Sequence, residues 1–483
     1  MQGFRKLTDR TYDVAVIGGG IIGAGIARDA ALRGLSVALV EKADFGSGTT
    51  SGSTRLIHGG LRYLEMYDFG LVRMDLRERE ILLRIAPHLV KPLEFLIPFY
   101  GASLWFRFKM RVGMALYDLL SYDKSLPNHR MLSAEETLAE EPTLRSNGLQ
   151  GAAAYFDAQV SQPERLCLEN ILDAEQHGAV VASYTEVVDA RLEGDRVVGL
   201  VLKSTETGET GELKATVFVN ATGAWFDRVS SRTHGPGKPR LRTTKGIHIT
   251  CEPMNRKASV LFSPIDGRLF FVIPLLGQCW IGTTDTDFEA DPSTVRADGD
   301  DVEYLLRSVE PFFPNVRKLA IFSSNAGVRA LVRQDGSASS VSRMHKIEET
   351  QPGLISVLGG KITGYRAIAE EAVDAVCAKL GKRTPGRTDK EPLPGALEHE
   401  KLNLESTVHR AIAQEHCWHL ADFLLRRQPA AFADDQGRGQ APLVAELMGK
   451  ELGWDSAQRQ AEMDRFEAEA DRALLFRHPS PTP

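Results

Sequence analysis

The chain has few cysteines and no long apolar run, and each shortage excludes a class of protein. Its 483 residues include five cysteines, scattered and without a CxxC pair. We therefore predict a reduced intracellular protein with neither a disulfide framework nor a zinc site. No segment approaches the roughly 18 uninterrupted apolar residues of a membrane-spanning helix. We also expect no signal peptide, because the N-terminus runs directly into a strand pattern.

An excess of positive charge is also absent. Lysine and arginine total 58 against 64 aspartates and glutamates, which leaves a net charge of −6. This balance argues against a protein whose whole surface binds nucleic acid. Hydrophobic residues at 43% and charged residues at 25% are typical of a soluble globular chain. A chain of this length can bury about three quarters of its unfolded surface, so it needs no covalent staple.

A glycine-rich turn near the N-terminus predicts a dinucleotide site. Residues 12–17 form an apolar run typical of a buried parallel strand, and residues 22–32 have helical spacing. Between them, residues 18–23 read GGGIIG. Glycines allow close approach to a pyrophosphate, and the helix N-terminus supplies amide donors. The next strand, 35–40, ends at Glu41, which can accept hydrogen bonds from the ribose of FAD or NAD.

Two further segments favour FAD over NAD. Residues 49–54 carry hydroxyl side chains where a second loop can meet the cofactor, and residues 354–367 predict a strand, a Gly-Gly turn and a helix. Flavoproteins of the glutathione-reductase type divide their cofactor site in this way between both ends of the chain. The predicted cofactor-binding residues are Gly18, Gly20, Gly23, Glu41, Thr50, Ser51, Ser53, Gly59, Gly223, Gly360, Lys361, Ile362 and Thr363.

The rest of the chain divides into strand-like, helical and linker segments. Further strands are predicted at 196–203, 216–220, 245–252, 269–274 and 279–283, and a helix at 364–380. A Gly/Pro/charge-rich linker is predicted at 381–400, then mostly helix at 401–477 with a polar break at 433–440. The tail, 478–483, is expected to be disordered.

These motifs together resemble the FAD-dependent glycerol-3-phosphate dehydrogenases of the aerobic, membrane-associated kind. The resemblance runs from about residue 12 to residue 378 and continues more loosely beyond. It is carried by the strings IGGGIIGAGIARDAALRGLSVALVE, STRLIHGGLRYLE, VNATGAW, KGIHI, IGTTDTDF, AGVRAL and GGKITGYR. It implies an α/β fold with a glutathione-reductase-like FAD-binding Rossmann domain, an antiparallel-sheet substrate domain and a C-terminal helical cap.

The resemblance also implies domain boundaries. Residues 1–385 would form the FAD-binding domain, interleaved with substrate-binding parts at roughly 85–155 and 240–345. Residues 386–477 would form the helical cap.

The implied reaction is the oxidation of sn-glycerol 3-phosphate to dihydroxyacetone phosphate by hydride transfer to flavin N5, with quinone as the final acceptor. A phosphate monoester carries about 1.5 to 2 negative charges near pH 7, which suits arginine. The implied catalytic residues are His248, Lys361 and Arg329. The implied substrate-binding residues are Arg62, Tyr63, Arg268, Thr283, Arg329 and Arg343. His248 is the expected general base, with Lys361 or a water as alternatives.

Several positions depart from the family pattern and leave the substrate open. Ile22 replaces the usual Asn, Arg55 a common Lys, and Ala330 a typical Pro. Three alternatives therefore stand beside the dehydrogenase: an oxidase that uses oxygen, an oxidoreductase for another anionic hydroxy compound, and a non-catalytic FAD-binding sensor. A homodimer also stays open.

Residues 103–120 raise the question of a membrane. They interleave Trp105 and Phe108 with Arg107, Lys109 and Arg111. A basic, aromatic amphipathic helix can lie in a lipid interface, and it can equally pack on the core with a solvated charged face. The resemblance favours the first reading and implies a cytoplasmic enzyme, peripheral on the inner face of the membrane.

Overall fold

The computed structural model describes residues 2–235, 237–333, 345–397 and 402–477, without the side chains of Gln2, Arg62, Glu65 and His234. The strands are β1 (Thr11–Ile17), β2 (Val37–Val40), β3 (Leu56–Ile57), β4 (Val90–Tyr100), β5 (Arg130–Leu132), β6 (Leu149–Val160), β7 (Val180–Ala182), β8 (Thr185–Glu193), β9 (Arg196–Ser204), β10 (Thr210–Asn220), β11 (Leu241–Cys251), β12 (Ala258–Phe262), β13 (Leu269–Leu275), β14 (Gln278–Gly282), β15 (Thr286–Asp287), β16 (Ile321–Val332), β17 (Lys346–Gln351) and β18 (Leu354–Leu358).

The helices alternate with these strands and then take over the C-terminal part. They are α1 (Gln2–Thr8), α2 (Ile21–Leu32), α3 (Arg62–Glu65), α4 (Phe69–Ile85), α5 (Leu104–Leu120), α6 (Ala134–Glu140), α7 (Pro163–Gln176), α8 (Phe226–His234), α9 (Gly299–Val309), α10 (Tyr365–Lys379), α11 (Leu404–Gln414), α12 (Leu420–Asp422), α13 (Ala441–Leu452) and α14 (Ser456–Asp471). A π-helical turn, Phe423–Arg427, follows α12 directly. The predicted elements are therefore confirmed, with β10 and β11 longer than the sequence pattern indicated.

The first sheet is mainly parallel and carries the glycine turn. Its order is β17-β18-β10-β1-β2-β7, and the strands from β18 to β7 run parallel. Helix α2 crosses from β1 to β2 and is buried along nearly its whole length by α7, α10 and the sheet. Small residues permit this packing: a Cβ on Gly25 would lie 3.0 Å from the Tyr365 ring. The sheet therefore has the layered α/β architecture that the glycine motif predicted.

The second sheet is largely antiparallel. Its order is β15-β11-β14-β13-β12-β4-β6-β3, with β16 paired to β11 and β5 to β6. The pair β12–β4 is parallel, which the expectation of an antiparallel sheet did not include. In the register, His248 on β11 lies opposite Gly282 on β14 and Asn325 on β16. The sheet thus brings three distant segments together behind one wall of the site.

The C-terminal helices form their own core and also contact the first sheet's domain. Val408, Leu420, Phe423 and Phe466 pack together among α11 to α14. The predicted linker lacks regular strands and helices over most of its described part, as expected. It is nevertheless packed, because Leu393 is buried within the first core cluster. Residues 398–401 and the tail 478–483 lie outside the described residues.

Helix α5 confirms the predicted helix in the basic, aromatic segment. Ser103 caps it by accepting a hydrogen bond from the Phe106 N–H. One face buries Met114 and Tyr117, whereas Trp105 is 70% exposed. In the described ranges, no helix combines the length and the apolar character needed to cross a membrane.

Candidate cofactor and substrate site

A cavity of about 800 Å³ lies between the two sheets, at the carboxyl ends of β1, β10 and β18. Ligands of open α/β sheets bind at these strand ends. The predicted residues on its wall are Gly18, Gly20, Glu41, Thr50, Ser51, Ser53, Tyr63, Gly223, Arg329, Gly360, Lys361, Ile362 and Thr363. The fold therefore joins both glycine turns and one predicted substrate arginine in a single site.

The N-terminal glycine turn tolerates no side chain at its two tightest points. Gly18 has φ +105°, a conformation that L side chains rarely adopt. A Cβ on Gly23 would lie 1.9 Å from the Gly18 carbonyl oxygen. Gly23 itself is thus packed behind the turn, where it allows α2 to begin directly beneath the cavity. This geometry aims the N-terminal end of α2 at whatever occupies the site.

Glu41 and Thr50 organise the same end of the cavity. The carboxylate of Glu41 accepts hydrogen bonds from the Gly19 N–H (2.7 Å) and the Ala43 N–H (3.0 Å). The Thr50 hydroxyl accepts from the Ile21 N–H at 3.1 Å. Burial raises the pKa of Glu41, although both backbone bonds oppose that shift. The acidic group is therefore held at the position where the motif requires a ribose acceptor.

The second glycine turn builds the opposite end. Gly360 has φ +110°, and Lys361 follows it on the cavity wall. The Lys361 ammonium lies 2.6 Å from Asp75 Oδ2 and 4.1 Å from the centre of the Tyr63 ring. Thr363 contributes its hydroxyl, which accepts from the His58 N–H at 3.2 Å. Lys361 lies several residues before α10. Its position is therefore fixed by the contact with Asp75 on α4 and not by α10.

Arg329 reaches the cavity from β16 over a glycine. A Cβ on Gly246 would lie 2.3 Å from the Arg329 guanidinium, so only glycine leaves this space. Arg329 Nη2 donates to the Thr283 hydroxyl at 2.7 Å, and Nη1 forms an ion pair with Asp285 at 3.0 Å. Arg268 donates to the Asp285 carbonyl oxygen. Thr283 and Arg268 thus belong to the surroundings of Arg329.

His248 lies one layer behind the wall. Its side chain is fully buried and stacks on Trp280 with 5.0 Å between ring centres. Its Nε2 is 3.1 Å from the hydroxyl of Thr54, which does line the cavity. Burial lowers the pKa of His248 well below its usual value, and the positive charges of Arg329 and Arg55 add to the shift. The ring is therefore neutral near pH 7, which is the form that a general base requires.

The structure does not bring every predicted residue to the cavity. Within the described chain, Gly23, Gly59, His248, Arg268 and Thr283 do not reach the wall. Gly59 instead donates its N–H to the Tyr117 hydroxyl at 3.0 Å. The Arg62 side chain and the whole of Arg343 lie outside the described residues, so both remain sequence predictions.

Sequence reasoning missed two acidic residues beside the site, and it missed the contact of Thr54 with His248. Asp75 pairs with Lys361, Thr54 separates His248 from the cavity, and Asp157 accepts from the Tyr117 hydroxyl beneath Gly59 at 2.8 Å. The available signal for Asp75 was that it interrupts the apolar period of α4 between Val72 and Leu76. Thr54 stood within the hydroxyl cluster, but its partner is 194 residues away.

These residues fit FAD. A cavity of this volume is within the range of cofactor sites. The loop that carries the hydroxyl residues packs directly on β16, because a Cβ on Gly52 would lie 2.5 Å from Gly327 Cα. The Gly18 turn and Glu41 would hold the pyrophosphate and a ribose, and the segment 360–363 would meet the flavin end.

Comparison with known proteins agrees with this reading. The family described as FAD dependent oxidoreductase matches residues 13–374, and the C-terminal domain of alpha-glycerophosphate oxidase matches residues 371–459. A glycerol-3-phosphate dehydrogenase of Synechocystis is 42% identical over 85% of this chain and 78% of its own length. An aerobic glycerol-3-phosphate dehydrogenase of Bacillus subtilis is 37% identical over 84% of this chain and 75% of its own.

A solved structure is similar along the whole chain. The glycerol-3-phosphate dehydrogenase of Bacillus halodurans, crystallised with FAD, has a TM-score of 0.81 and 28% identity. The alignment covers 100% of this chain and 98% of that one. The predicted fold class and the FAD cofactor are thereby confirmed. The chain belongs to the FAD-dependent oxidoreductases and, among them, to the glycerol-3-phosphate dehydrogenase family.

Proposed function

We propose that this protein oxidises sn-glycerol 3-phosphate to dihydroxyacetone phosphate. The observation that carries the proposal is the presence of Arg329 and Lys361 on the wall of a cavity that also contains both glycine turns. FAD, when bound, supplies the hydride acceptor at flavin N5. The names of the relatives from Synechocystis and Bacillus subtilis support the same substrate.

Arg329 would bind the phosphate. Its guanidinium is part-buried, which strengthens a charge-assisted hydrogen bond to a dianion. The ion pair with Asp285 already holds the guanidinium in place, so little side-chain freedom is lost on binding. Arg62, Arg268 and Arg343 stay in the proposal as further substrate cations, and Tyr63 and Thr283 as positioning groups.

His248 would receive the hydroxyl proton through Thr54. The substrate hydroxyl would give its proton to the Thr54 oxygen, while the Thr54 proton moves to Nε2 of His248 over the observed 3.1 Å contact. Lys361 and a water remain alternative acceptors. If the relay operates, Thr54→Val lowers kcat strongly and Thr54→Ser restores it. Equal rates in Thr54→Val and the wild type would exclude the relay.

Anaerobic titration tests the substrate assignment. Glycerol 3-phosphate should bleach the bound flavin, and Arg329→Gln should weaken substrate binding by about 1.5–3 kcal/mol, roughly ten- to hundredfold. Arg317→Gln is the matched control, because Arg317 pairs with Glu303 and Glu310 at the surface. A flavin that stays oxidised with glycerol 3-phosphate, yet bleaches with another anionic hydroxy compound, would refute the assignment.

Quinone is the proposed electron acceptor, and an oxidase is the alternative. Steady-state assays with a soluble quinone and with oxygen separate the two, because the oxidase would release peroxide at the rate of substrate consumption. Turnover with either acceptor would exclude a non-catalytic sensor.

We further propose that α5 rests on the inner face of the cytoplasmic membrane. Leu104, Trp105 and Phe108 are 82%, 70% and 57% exposed, and Lys109 and Arg111 are exposed beside them. Apolar side chains with adjacent cations suit an anionic lipid interface.

Co-sedimentation with anionic vesicles tests the membrane proposal. Trp105→Ala with Phe108→Ala should abolish binding, whereas Leu443→Ala, which removes a 52% exposed leucine on α13, should not. Equal binding by both variants would contradict the role of α5.

We retain the predicted division into residues 1–385 and 386–477 as part of this proposal. We also retain a homodimer, which size-exclusion chromatography with light scattering tests.

A further inference from the structure

A buried cluster of charges joins the C-terminal helices to the cofactor loop. Asp44 lies three residues after Glu41 and is 1% exposed. It accepts hydrogen bonds from Arg426 Nε at 2.5 Å and from Arg427 Nη1 and Nη2 at 2.8 and 2.7 Å. Both arginines come from the π-helical turn Phe423–Arg427. One loop carboxylate therefore receives two guanidinium groups from a segment 382 residues away.

The two arginines are themselves held in place by the C-terminal segment. Arg427 also donates to the Glu415 carbonyl oxygen at 2.8 Å. Arg426 donates to Asp422 at 2.8 Å, and Asp422 accepts from the Tyr184 hydroxyl at 2.6 Å. Almost all of these groups are buried, so each depends on its partners for compensation of its charge.

The same cluster leads directly into the glycine turn. Asp44 is followed by Phe45, whose ring packs so closely on Gly19 that a Cβ there would lie 2.6 Å from it. The Phe45 ring also makes an edge contact with His416 of the C-terminal segment. Asp44, Tyr184 and Arg426 all line the cavity. The C-terminal segment thus reaches the cofactor loop at Asp44 and at Phe45.

We propose that Arg426 and Arg427 are positioning residues for FAD. By holding Asp44, they fix the loop that carries Glu41, so docking of the C-terminal helices and binding of FAD strengthen one another. Linkage requires this effect to be reciprocal: FAD stabilises the docking by the same factor by which docking improves FAD affinity. The proposal depends on FAD as cofactor and is independent of the substrate.

The pKa of Asp44 is consistent with a permanently charged cluster. Burial alone would raise it, but attraction to Arg427 and Arg426 outweighs burial and lowers the pKa below its usual value. The carboxylate therefore stays ionised at neutral pH and keeps both arginines paired.

The first experiment measures FAD affinity on full-length protein from which FAD has been removed. Arg427→Lys keeps the charge but loses the two-pronged contact with Asp44, and should weaken FAD binding about tenfold, within the range of coupled sites. Arg366→Lys is the matched control: Arg366 is also buried, donates from two nitrogens to Glu78 at 2.8 and 2.7 Å, and does not line the cavity. It should leave FAD affinity within about twofold of wild type, since it lies outside the coupled cluster.

The second experiment uses the wild type alone and does not depend on a variant that folds. Hydrogen exchange over residues 420–427 should slow when FAD binds, because docking and binding are coupled. Equal weakening of FAD affinity by Arg427→Lys and Arg366→Lys would show that loss of any buried arginine pair weakens FAD binding, and would overturn the proposal. Exchange rates over 420–427 that FAD leaves unchanged would overturn it as well.

Discussion

At the scale of single residues, burial decides which form of His248 is present. A histidine in an unfolded chain titrates near 6.5, whereas burial and the charges of Arg329 and Arg55 lower the pKa of folded His248 well below that value. The neutral ring that a general base requires is thus provided by its surroundings. The same surroundings make the folded protein less stable in acid, because the buried ring resists protonation.

The first prediction concerns stability against pH. Below about pH 6.5 the unfolded chain takes up a proton at His248 that the folded chain refuses, so the free energy of unfolding falls as pH falls. The loss reaches about 1.4 kcal/mol per pH unit for this one group and is absent in His248→Gln. Urea unfolding of both proteins between pH 5 and 7.5 measures it. Parallel stability curves would contradict the lowered pKa.

The second prediction concerns Asp75. Burial raises the pKa of Asp75, and the opposing attraction of Lys361 reduces that shift. Asp75→Asn should release the Lys361 ammonium from its 2.6 Å contact and alter the charge beside the flavin. We expect a higher flavin reduction potential, because loss of the carboxylate leaves the Lys361 charge uncompensated and a positive charge near the flavin favours its reduced form.

A neighbouring carboxylate supplies the control for Asp75. Glu78 lies one turn further along α4 and is buried with Arg366, which is away from the cavity wall within the described chain. Glu78→Gln should therefore reduce stability without shifting the flavin potential. Equal shifts of potential in both variants would mean that Asp75 acts only through the fold.

At the scale of elements, the β1–α2–β2 unit shows what the sequence could predict, and the β12–β4 pair shows what it could not. The β1–α2–β2 unit is local, and its hydrophobic period and glycines are read directly from residues 12–41. The antiparallel sheet was predicted through resemblance, but its parallel β12–β4 pair was not. That pair joins segments far apart in the chain, and no local period reports such a contact.

The third prediction tests the glycine turn as an element. Gly23→Ala places a Cβ 1.9 Å from the Gly18 carbonyl oxygen, so the turn must move. FAD binding should be lost or weakened more than a hundredfold, which corresponds to a loss of about 3 kcal/mol of binding free energy. Gly113→Ala in α5 meets no atom within 4 Å and should raise stability by about 0.5–1 kcal/mol. Fluorescence titration with FAD and thermal unfolding check both. Normal FAD affinity in Gly23→Ala would be contrary to the observed packing.

At the scale of the whole molecule, the cavity connects every part of the chain. Its wall includes residues of the first sheet, of β16 and of the C-terminal segment, such as Glu41, Arg329 and Arg426. A ligand that fills this cavity would contact all three parts. We therefore expect cofactor binding to stabilise the entire fold.

The fourth prediction follows from this arrangement. FAD at 100 times its Kd should stabilise the protein by about 2.7 kcal/mol, and melting should remain one cooperative transition. Differential scanning calorimetry of cofactor-free and FAD-loaded protein measures both properties. Two transitions of which FAD shifts one alone would show that the C-terminal helices unfold independently.

The sequence by itself determined the cofactor class, the element order around the glycine turns and the family. These depend on local patterns: strand and helix periods, glycines where φ is positive, and motifs of a few residues. The tertiary structure decided that His248 stands behind Thr54, that Asp75 holds Lys361 across 286 residues, and that Arg426 and Arg427 hold Asp44. The reason is physical, because a buried charge needs a compensating partner in space, and separation along the chain does not constrain where that partner comes from.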